Sequence, residues 1–265
     1  MDWINKNHIP VGTENLLPKQ MTVAISGVAS GIGHAQAVKF LKAGHSVFGI
    51  DLKRSSCVNE LLDQFSETFF FSQGDVSEEQ VVKDFFARIS RESGFLHVLC
   101  NTAGQLDAYA TIEDTNLKDF IHYLNVNLVS VFLMTKYALP LLLSEKSSRI
   151  INMTSIAGLT AGGGGVSYTA AKHAICGITK QMAYDYSQTG LRVNAIAPGA
   201  IATEMNRADF EENNGALASW VADETPIKRW ASAEEVADLT FFLASNQADY
   251  IQGAIIPIDG GWLCR

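Results

Sequence analysis

The chain has 265 residues, 47% of them hydrophobic and 18% charged, which suits a globular protein with a sizeable core and excludes a disordered one. Its net charge of −8 argues against a nucleic-acid partner, which would want a basic face, and no unbroken apolar run reaches the roughly 18 residues of a membrane span. Cys57, Cys100, Cys176 and Cys264 form no CxxC pair and the six histidines show no metal-ligand spacing, so reduced thiols, a cytoplasmic location and no metal are expected.

Residues 1–20, broken by Pro10 and Pro18, read as an irregular arm without the apolar segment of a secretory signal. Met21–Ser26 is a short β-branched run ending at glycines, which predicts a buried strand and a turn. Residues 31–43 have helical character and close at Gly44, a C-cap. His45–Ile50 predicts a second strand leading into Asp51, followed by a helix over 56–65 and a strand at Thr68–Phe71. Ser77-Glu-Glu-Gln80 has capping-box spacing and predicts a helix running to about Arg91. Leu96–Cys100 is a fourth predicted strand, entering Asn101-Thr-Ala-Gly104, and a long helix follows over about 116–144. Arg149–Thr154 is a fifth strand, and the four glycines Gly162 to Gly165 form a loop. A helix then carries Tyr168 to about Gln188, and Leu191–Ala197 is a sixth strand ending at Pro198-Gly199. Segment 200–230 is polar without clear periodicity, Ser232-Ala-Glu-Glu235 caps a helix to about Ala244, and Ala254–Ile258 supplies a seventh strand.

Strands alternating with helices predict an α/β fold, a Rossmann-type doubly wound parallel sheet of about seven strands with helices on both faces, in one domain over 21–265. Such sheets bind ligands beyond the carboxyl ends of their strands. Gly27, Asp51, Asp75, Asn101, Ser155 and Pro198 all follow predicted strands, a coincidence that core packing alone does not require. Ser26-Gly27-Val-Ala-Ser30-Gly31-Ile32-Gly33 joins the first strand to the first helix. Glycines there let backbone approach a pyrophosphate at a helix N-terminus, although the GxxxGxG spacing departs from the commoner GxGxxG. Asp51, followed by Leu52, suits the ribose hydroxyls of an adenosine and repels a 2′-phosphate, which favours NAD over NADP. Lys53 and Arg54 are the side chains that could instead reach a phosphate. Tyr168 and Lys172, four apart, share a helix face. An ammonium there is expected to lower the phenol pKa from about 10, so that the tyrosine exchanges protons near neutral pH.

Together these residues resemble the short-chain dehydrogenase/reductase family, including its 3-oxoacyl-carrier-protein reductase-like members. The likeness covers about 21–262: the glycine turn at 27–33, Asp75-Val76, Asn101-Thr-Ala-Gly104, Asn127, Ser155, Tyr168-x-x-x-Lys172, Pro198-Gly199 with Ile201 and Thr203, and Asp259-Gly260-Gly261. The resemblance implies that Tyr168 is the general acid/base, and that Lys172 lowers its pKa and holds the nicotinamide ribose. It further implies that Ser155 binds the substrate oxygen and that Asn127 holds a water in a proton relay. For the cofactor it implies Asp75 and Val76 at the adenine, Asn101, Ala103 and Gly104 along the ribose, and Pro198 to Thr203 at the carboxamide. Thr102 stands where the family usually has asparagine, which could alter a hydrogen bond bracing the sheet. The four glycines at 162–165 are more than usual and are expected to loosen the substrate side of the cleft.

Three functions stand side by side at this level. The first is an NAD-dependent dehydrogenase or reductase of a small secondary alcohol or ketone, such as a sugar-like polyol. The second is an NADPH-dependent 3-oxoacyl-carrier-protein reductase, against which Asp51 and the acidic charge count. The third is a catalytically idle NAD-binding sensor or scaffold, which the intact Asn127, Ser155, Tyr168 and Lys172 disfavour. The resemblance also implies a substrate lid at about 204–230 and a homotetramer paired through the helices of 116–144 and 167–188.

Overall fold

Chain direction around the sheet sets where a ligand can sit. The computed structural model describes residues 17–265, so most of the expected N-terminal arm, residues 1–16, lies outside the described residues. The strands β1 (Thr22–Ser26), β2 (Ser46–Asp51), β3 (Phe69–Gln73), β4 (Val98–Asn101), β5 (Ser148–Met153), β6 (Leu191–Pro198) and β7 (Ile255–Ile258) are joined in the order β3-β2-β1-β4-β5-β6-β7. All pairings are parallel. The chain winds outward from β1 to β3, then returns to lay β4 on the other side of β1. That reversal opens a crevice beyond the carboxyl ends of β1 and β4.

The helices are α1 (Gly31–Lys42), α2 (Ser56–Gln64), α3 (Glu79–Glu92), α4 (Leu117–Leu124), α5 (Ser130–Leu143), α6 (Val166–Asp185), α7 (Arg207–Glu211), α8 (Ala216–Glu224) and α9 (Ala233–Leu243). Alternating side chains send Val23 and Ile25 to one face with Phe40, Leu41, Val236 and Leu243. Ala24, Leu99 and Ile150 go to the other face with Phe85, Ile89, Met134 and Leu142. Two buried cores therefore hold the sheet between helical layers.

Polar groups brace the strand ends behind the crevice. The Ser26 hydroxyl accepts from the backbone N–H of Thr102 (3.0 Å) and Ala103 (3.1 Å), stitching β1 to the turn after β4. Thr102 is turned away from that brace: its hydroxyl donates to Gln36 at 2.7 Å, and Gln36 donates to Thr240 at 2.9 Å, linking the turn to α1 and α9. Ser26 thus supplies the brace, and the Thr102 hydroxyl is engaged elsewhere.

Some sequence expectations need correction. No capping box opens α3, because Asp75 takes both the N–H (2.8 Å) and hydroxyl (2.7 Å) of Ser77, and the helix starts at Glu79. The second box is present on α9, with Ser232 and Glu235 bonded reciprocally. The long helix is interrupted by one π turn, Asn125–Val129. Within the 27-residue stretch Leu117–Leu143 an 18-residue window has a mean hydropathy of 1.7, the length and composition of a membrane span although no consecutive apolar run has it, since polar residues are interspersed. In this fold 44% of that apolar window is buried. Segment 200–230 holds the two short helices α7 and α8, separated by Asn213 (φ 48°), Asn214 (φ 55°) and Gly215 (φ 71°) in left-handed conformation.

Replacing Ser26 by alanine strands two backbone donors and is expected to cost about 1–3 kcal/mol, read as a lower urea midpoint with an unchanged m-value. Ser26→Thr, which keeps the hydroxyl, should cost far less.

Candidate active site

The crevice is a cleft of about 880 Å3 that runs from the glycine turn to the lid. At one end the backbone of Gly27 (φ 83°) and Gly31 (φ 53°) is left-handed. A Cβ on Gly33 would stand 2.1 Å from the Gly27 carbonyl oxygen, so only glycine lets α1 pack against this turn. Ser30 precedes α1 without capping it through its side chain, and the first turn holds no acidic residue. The first N–H groups of the helix therefore face the cleft with no carboxylate competing, which fits the phosphates of a dinucleotide. Asp51 sits at the end of β2 and accepts from the backbone N–H of Ala29 (2.9 Å) and Lys53 (3.0 Å). Those bonds fix the carboxylate at the cleft wall. Lys53 also lines the cleft. Arg54 instead donates to Asn59 at 2.7 Å.

Ser155, Tyr168 and Lys172 meet at the centre of the cleft. Ser155 follows β5 by two residues in extended conformation, its hydroxyl accepting from the Ala157 N–H at 3.1 Å. Lys172 is buried; its ammonium donates to the Met153 carbonyl at 2.9 Å and lies 5.3 Å from the Tyr168 ring centroid. Burial pushes the Tyr168 phenol up to about 12, with hydrogen bonding by Ser155 working the other way. Burial likewise brings Lys172 down to about 8. The expected depression of the phenol by the ammonium is thus overturned, because desolvation dominates at both groups and favours their neutral forms.

Asn127 occupies the π turn, completely buried. Its amide donates to the carbonyls of Gln105 (2.9 Å) and Tyr123 (3.0 Å) and accepts from the Gln105 N–H (3.0 Å). The widened turn frees the Tyr123 carbonyl for this bond, as π turns at functional sites often do. Asn127 holds the Gly104–Gln105 turn beside Lys172 and does not line the cleft. Asn101 is also set back, donating to Thr135 (3.0 Å) and Asn152 (2.9 Å). The other expected cofactor residues, including Leu52, Asp75, Val76, Ala103, Gly104, Pro198, Gly199, Ile201 and Thr203, do line it.

The enoyl-(acyl carrier protein) reductase family model matches residues 27–263. The chain is 34% identical over 250 residues to 2-dehydro-3-deoxy-D-gluconate 5-dehydrogenase of Bacillus subtilis, covering 93% of this chain and 96% of that one. It is 33% identical over 244 residues to 3beta-hydroxysteroid dehydrogenase 2 of Eggerthella lenta, covering 91% and 94%. The chain belongs to the short-chain dehydrogenase/reductase family. The structure of a putative NAD(P)-dependent gluconate 5-dehydrogenase from Beutenbergia cavernae, with bound NADP at low occupancy, superposes with a TM-score of 0.85 at 28% identity, covering 92% of this chain and 97% of the other. As a member of this family the protein is an oxidoreductase of CH–OH groups in small molecules, working with a nicotinamide cofactor.

Asp107, which no motif marks, anchors α6, the helix that carries Tyr168 and Lys172. Buried to 2% exposure, it accepts from the N–H of Gly165 (2.7 Å) and of Tyr168 (2.8 Å), satisfying the start of α6 across 58 and 61 residues of sequence. The next two residues, Ala108 (φ 53°) and Tyr109 (φ 59°), are left-handed without being glycine, a strained turn that sets Tyr109 at the cleft. The glycine run answers to this packing. A Cβ on Gly165 would lie 2.5 Å from the Ala110 nitrogen, and one on Gly164 would lie 2.5 Å from the Tyr168 ring. Those glycines tighten the site, contrary to the loosening expected from their number. The segment 203–230 is tied at its base by a bridge between Ile201 and Ala231, and Trp230 donates to the Ala218 carbonyl at 2.8 Å.

Asp107→Asn can satisfy only one of the two α6 donors. It should lower unfolding stability by about 1–3 kcal/mol and reduce turnover, while NADH binding at the far end of the cleft, followed by fluorescence titration, stays close to wild type.

Proposed function

We propose that the protein is an NAD-dependent oxidoreductase that interconverts a secondary alcohol and a ketone, with Tyr168 as general acid/base. The observation that carries the cofactor preference is the Asp51 carboxylate, fixed by two backbone N–H groups at the end of β2, where a 2′-phosphate would meet a negative charge. The nicotinamide supplies the hydride chemistry. Tyr168, a neutral phenol, donates its proton to the carbonyl oxygen in reduction and, as phenolate, accepts the alcohol proton in oxidation. Ser155 hydrogen-bonds that oxygen, and Lys172 stabilises the phenolate as an ammonium. Asn127 positions the turn beside Lys172; a proton relay through its side chain would use the remaining lone pair of Oδ1.

Lys53 at the cleft wall favours a second reading, an NADPH-dependent 3-oxoacyl-carrier-protein reductase, in which that ammonium would meet the 2′-phosphate. Acidic net charge weighs against docking an acidic carrier. Exposed Leu117, Ile121 and Phe132 on α4 and α5 and Tyr184 on α6 support a homotetramer, and four free thiols support a cytoplasmic location.

Fluorescence titration should give NADH at least about tenfold tighter than NADPH, or roughly 1.4 kcal/mol; a preference for NADPH would move the carrier-protein reading to first place. Tyr168→Phe should lower kcat by about 10²–10⁴ and still bind NADH, whereas an idle cofactor sensor would have no turnover to lose. Tyr168, raised to about 12, stays a neutral phenol near neutrality, while Lys172, lowered to about 8, is still mostly an ammonium there. Alcohol oxidation, which needs a phenolate stabilised by that ammonium, should therefore fall as pH rises through the range around 8 where Lys172 loses its proton.

A further inference from the structure

Beyond Tyr168 the cleft runs under the lid, where its wall is formed by Leu106, Val126, Met205, Leu217, Trp220 and Trp262. Trp220 and Trp262 meet edge to face, 6.4 Å between centroids. The polar side chains at this end are Gln105, Tyr109, His122, Asn206 and Asp209, and four of them are bonded in pairs. His122 and Gln105 bond each other at 3.3 Å, and Asn206 is held by Thr203 (3.3 Å) while donating to Asp209 at 3.4 Å. Asp209 itself lines the cleft close enough to Tyr109 to reinforce, together with Asp107, the upward push that burial gives the Tyr109 phenol.

No cation balances Asp209 there. Among the described residues, the lysines lining the cleft are Lys53, at its adenosine end, and Lys172, bonded to Met153, and no arginine lines it. The four cations between residue 203 and residue 265 are Arg207, Lys228, Arg229 and Arg265. Each is already committed. Arg207 pairs with Glu211 (2.6 Å) and Glu204 (3.2 Å), and Arg229 pairs with Glu235 (2.7 Å). Lys228 donates to the Asp223 carbonyl, and Arg265 pairs with Glu224 while stacking on Trp262. A substrate carboxylate would lose its water at an apolar wall facing Asp209 and gain no counter-charge. A sugar polyol would compete with the Gln105–His122 and Asn206–Asp209 bonds for partners and set its remaining hydroxyls against indole and aliphatic surface.

We propose that the substrate is an uncharged, mainly apolar alicyclic secondary alcohol or its ketone, and that Asp209 on the lid excludes carboxylates. This rests on the dehydrogenase reading above and narrows its substrate class. It separates this chain from relatives whose names specify a gluconate. The flat indole and aliphatic wall takes the ring, the reacting oxygen reaches Tyr168 and Ser155, and Gln105 with His122 offers one polar contact.

The test uses protein loaded with NAD and tryptophan fluorescence, so that binding is read without turnover. The probes are 4-methylcyclohexanone, 4-oxocyclohexanecarboxylate and xylitol. The neutral ketone should bind at least about tenfold tighter than the carboxylate, and xylitol should be weakest. Asp209→Asn, or Asp209→Ser should the amide fail to fold, should narrow the ketone-to-carboxylate ratio at least about threefold. Carboxylate or xylitol binding as tight as the neutral ketone, or no binding of the ketone at all, overturns the substrate class. An unaltered ratio in the folded variant overturns the assignment to Asp209. Failure of the dehydrogenase reading itself would appear separately, as wild-type protein that binds the ketone yet transfers no hydride.

Discussion

Every helix starts with N–H groups that its own ladder cannot satisfy, and this protein treats two such starts in opposite ways. At α1 no side-chain cap and no first-turn acid are present, so the donors remain available to an anion. At α6 the buried Asp107 carboxylate takes two of them and clamps the helix that carries Tyr168 and Lys172. One end of the cleft is thereby left to bind and the other is made rigid. The distance between dinucleotide and proton-transfer groups follows from the sheet that holds both helices.

The clamp works only because backbone passes very close to backbone around it. Gly165 lies against the Asp107–Ala110 turn, Gly164 against the Tyr168 ring, and Gly104 against the Asn127 amide, with a notional Cβ 2.5, 2.5 and 2.8 Å from its nearest neighbour. The π turn places Asn127 in the same knot, where it closes the Gly104–Gln105 loop over Lys172. Burial then shapes the chemistry as well as the geometry. Excluding water from Tyr168 and Lys172 favours their uncharged forms, and the proton transfer proposed for them would take place in a site where each charge counts for more than it would in water.

The succession of seven strands, the glycine turn and the positions of Asp51, Ser155, Tyr168 and Lys172 were legible in the sequence, because each depends on local patterns: short apolar runs, glycines at strand ends, a four-residue helical spacing. What stayed hidden depends on groups distant in sequence. Asp107 has no local signature, and its partners lie about sixty residues away. The π turn adds one residue to a helical loop without altering apolar periodicity enough to show. The helices α7 and α8 are too short, and too closely followed or preceded by left-handed Asn213, Asn214 and Gly215, to carry a period. The direction of the Tyr168 shift depends on how much water the fold removes, which spacing between a tyrosine and a lysine does not encode.

The pairing of Ile201 with Ala231 has an evolutionary meaning. Ala202 donates to Ala231 at 2.9 Å and Ala231 to Ala200 at 3.0 Å, so the excursion from 203 to 230 leaves and rejoins the sheet at a single point. A loop whose ends are already tied can lengthen at little entropic cost, about 0.6 kcal/mol per doubling. Inside the excursion, Glu224, Trp220 and Ile227 pack on the C-terminal residues Arg265, Trp262 and Gly260. The segment, taken with those contacts, is an exchangeable cassette: a lineage can graft a new one across the same two residues, change what is recognised and inherit the hydride-transfer machinery intact.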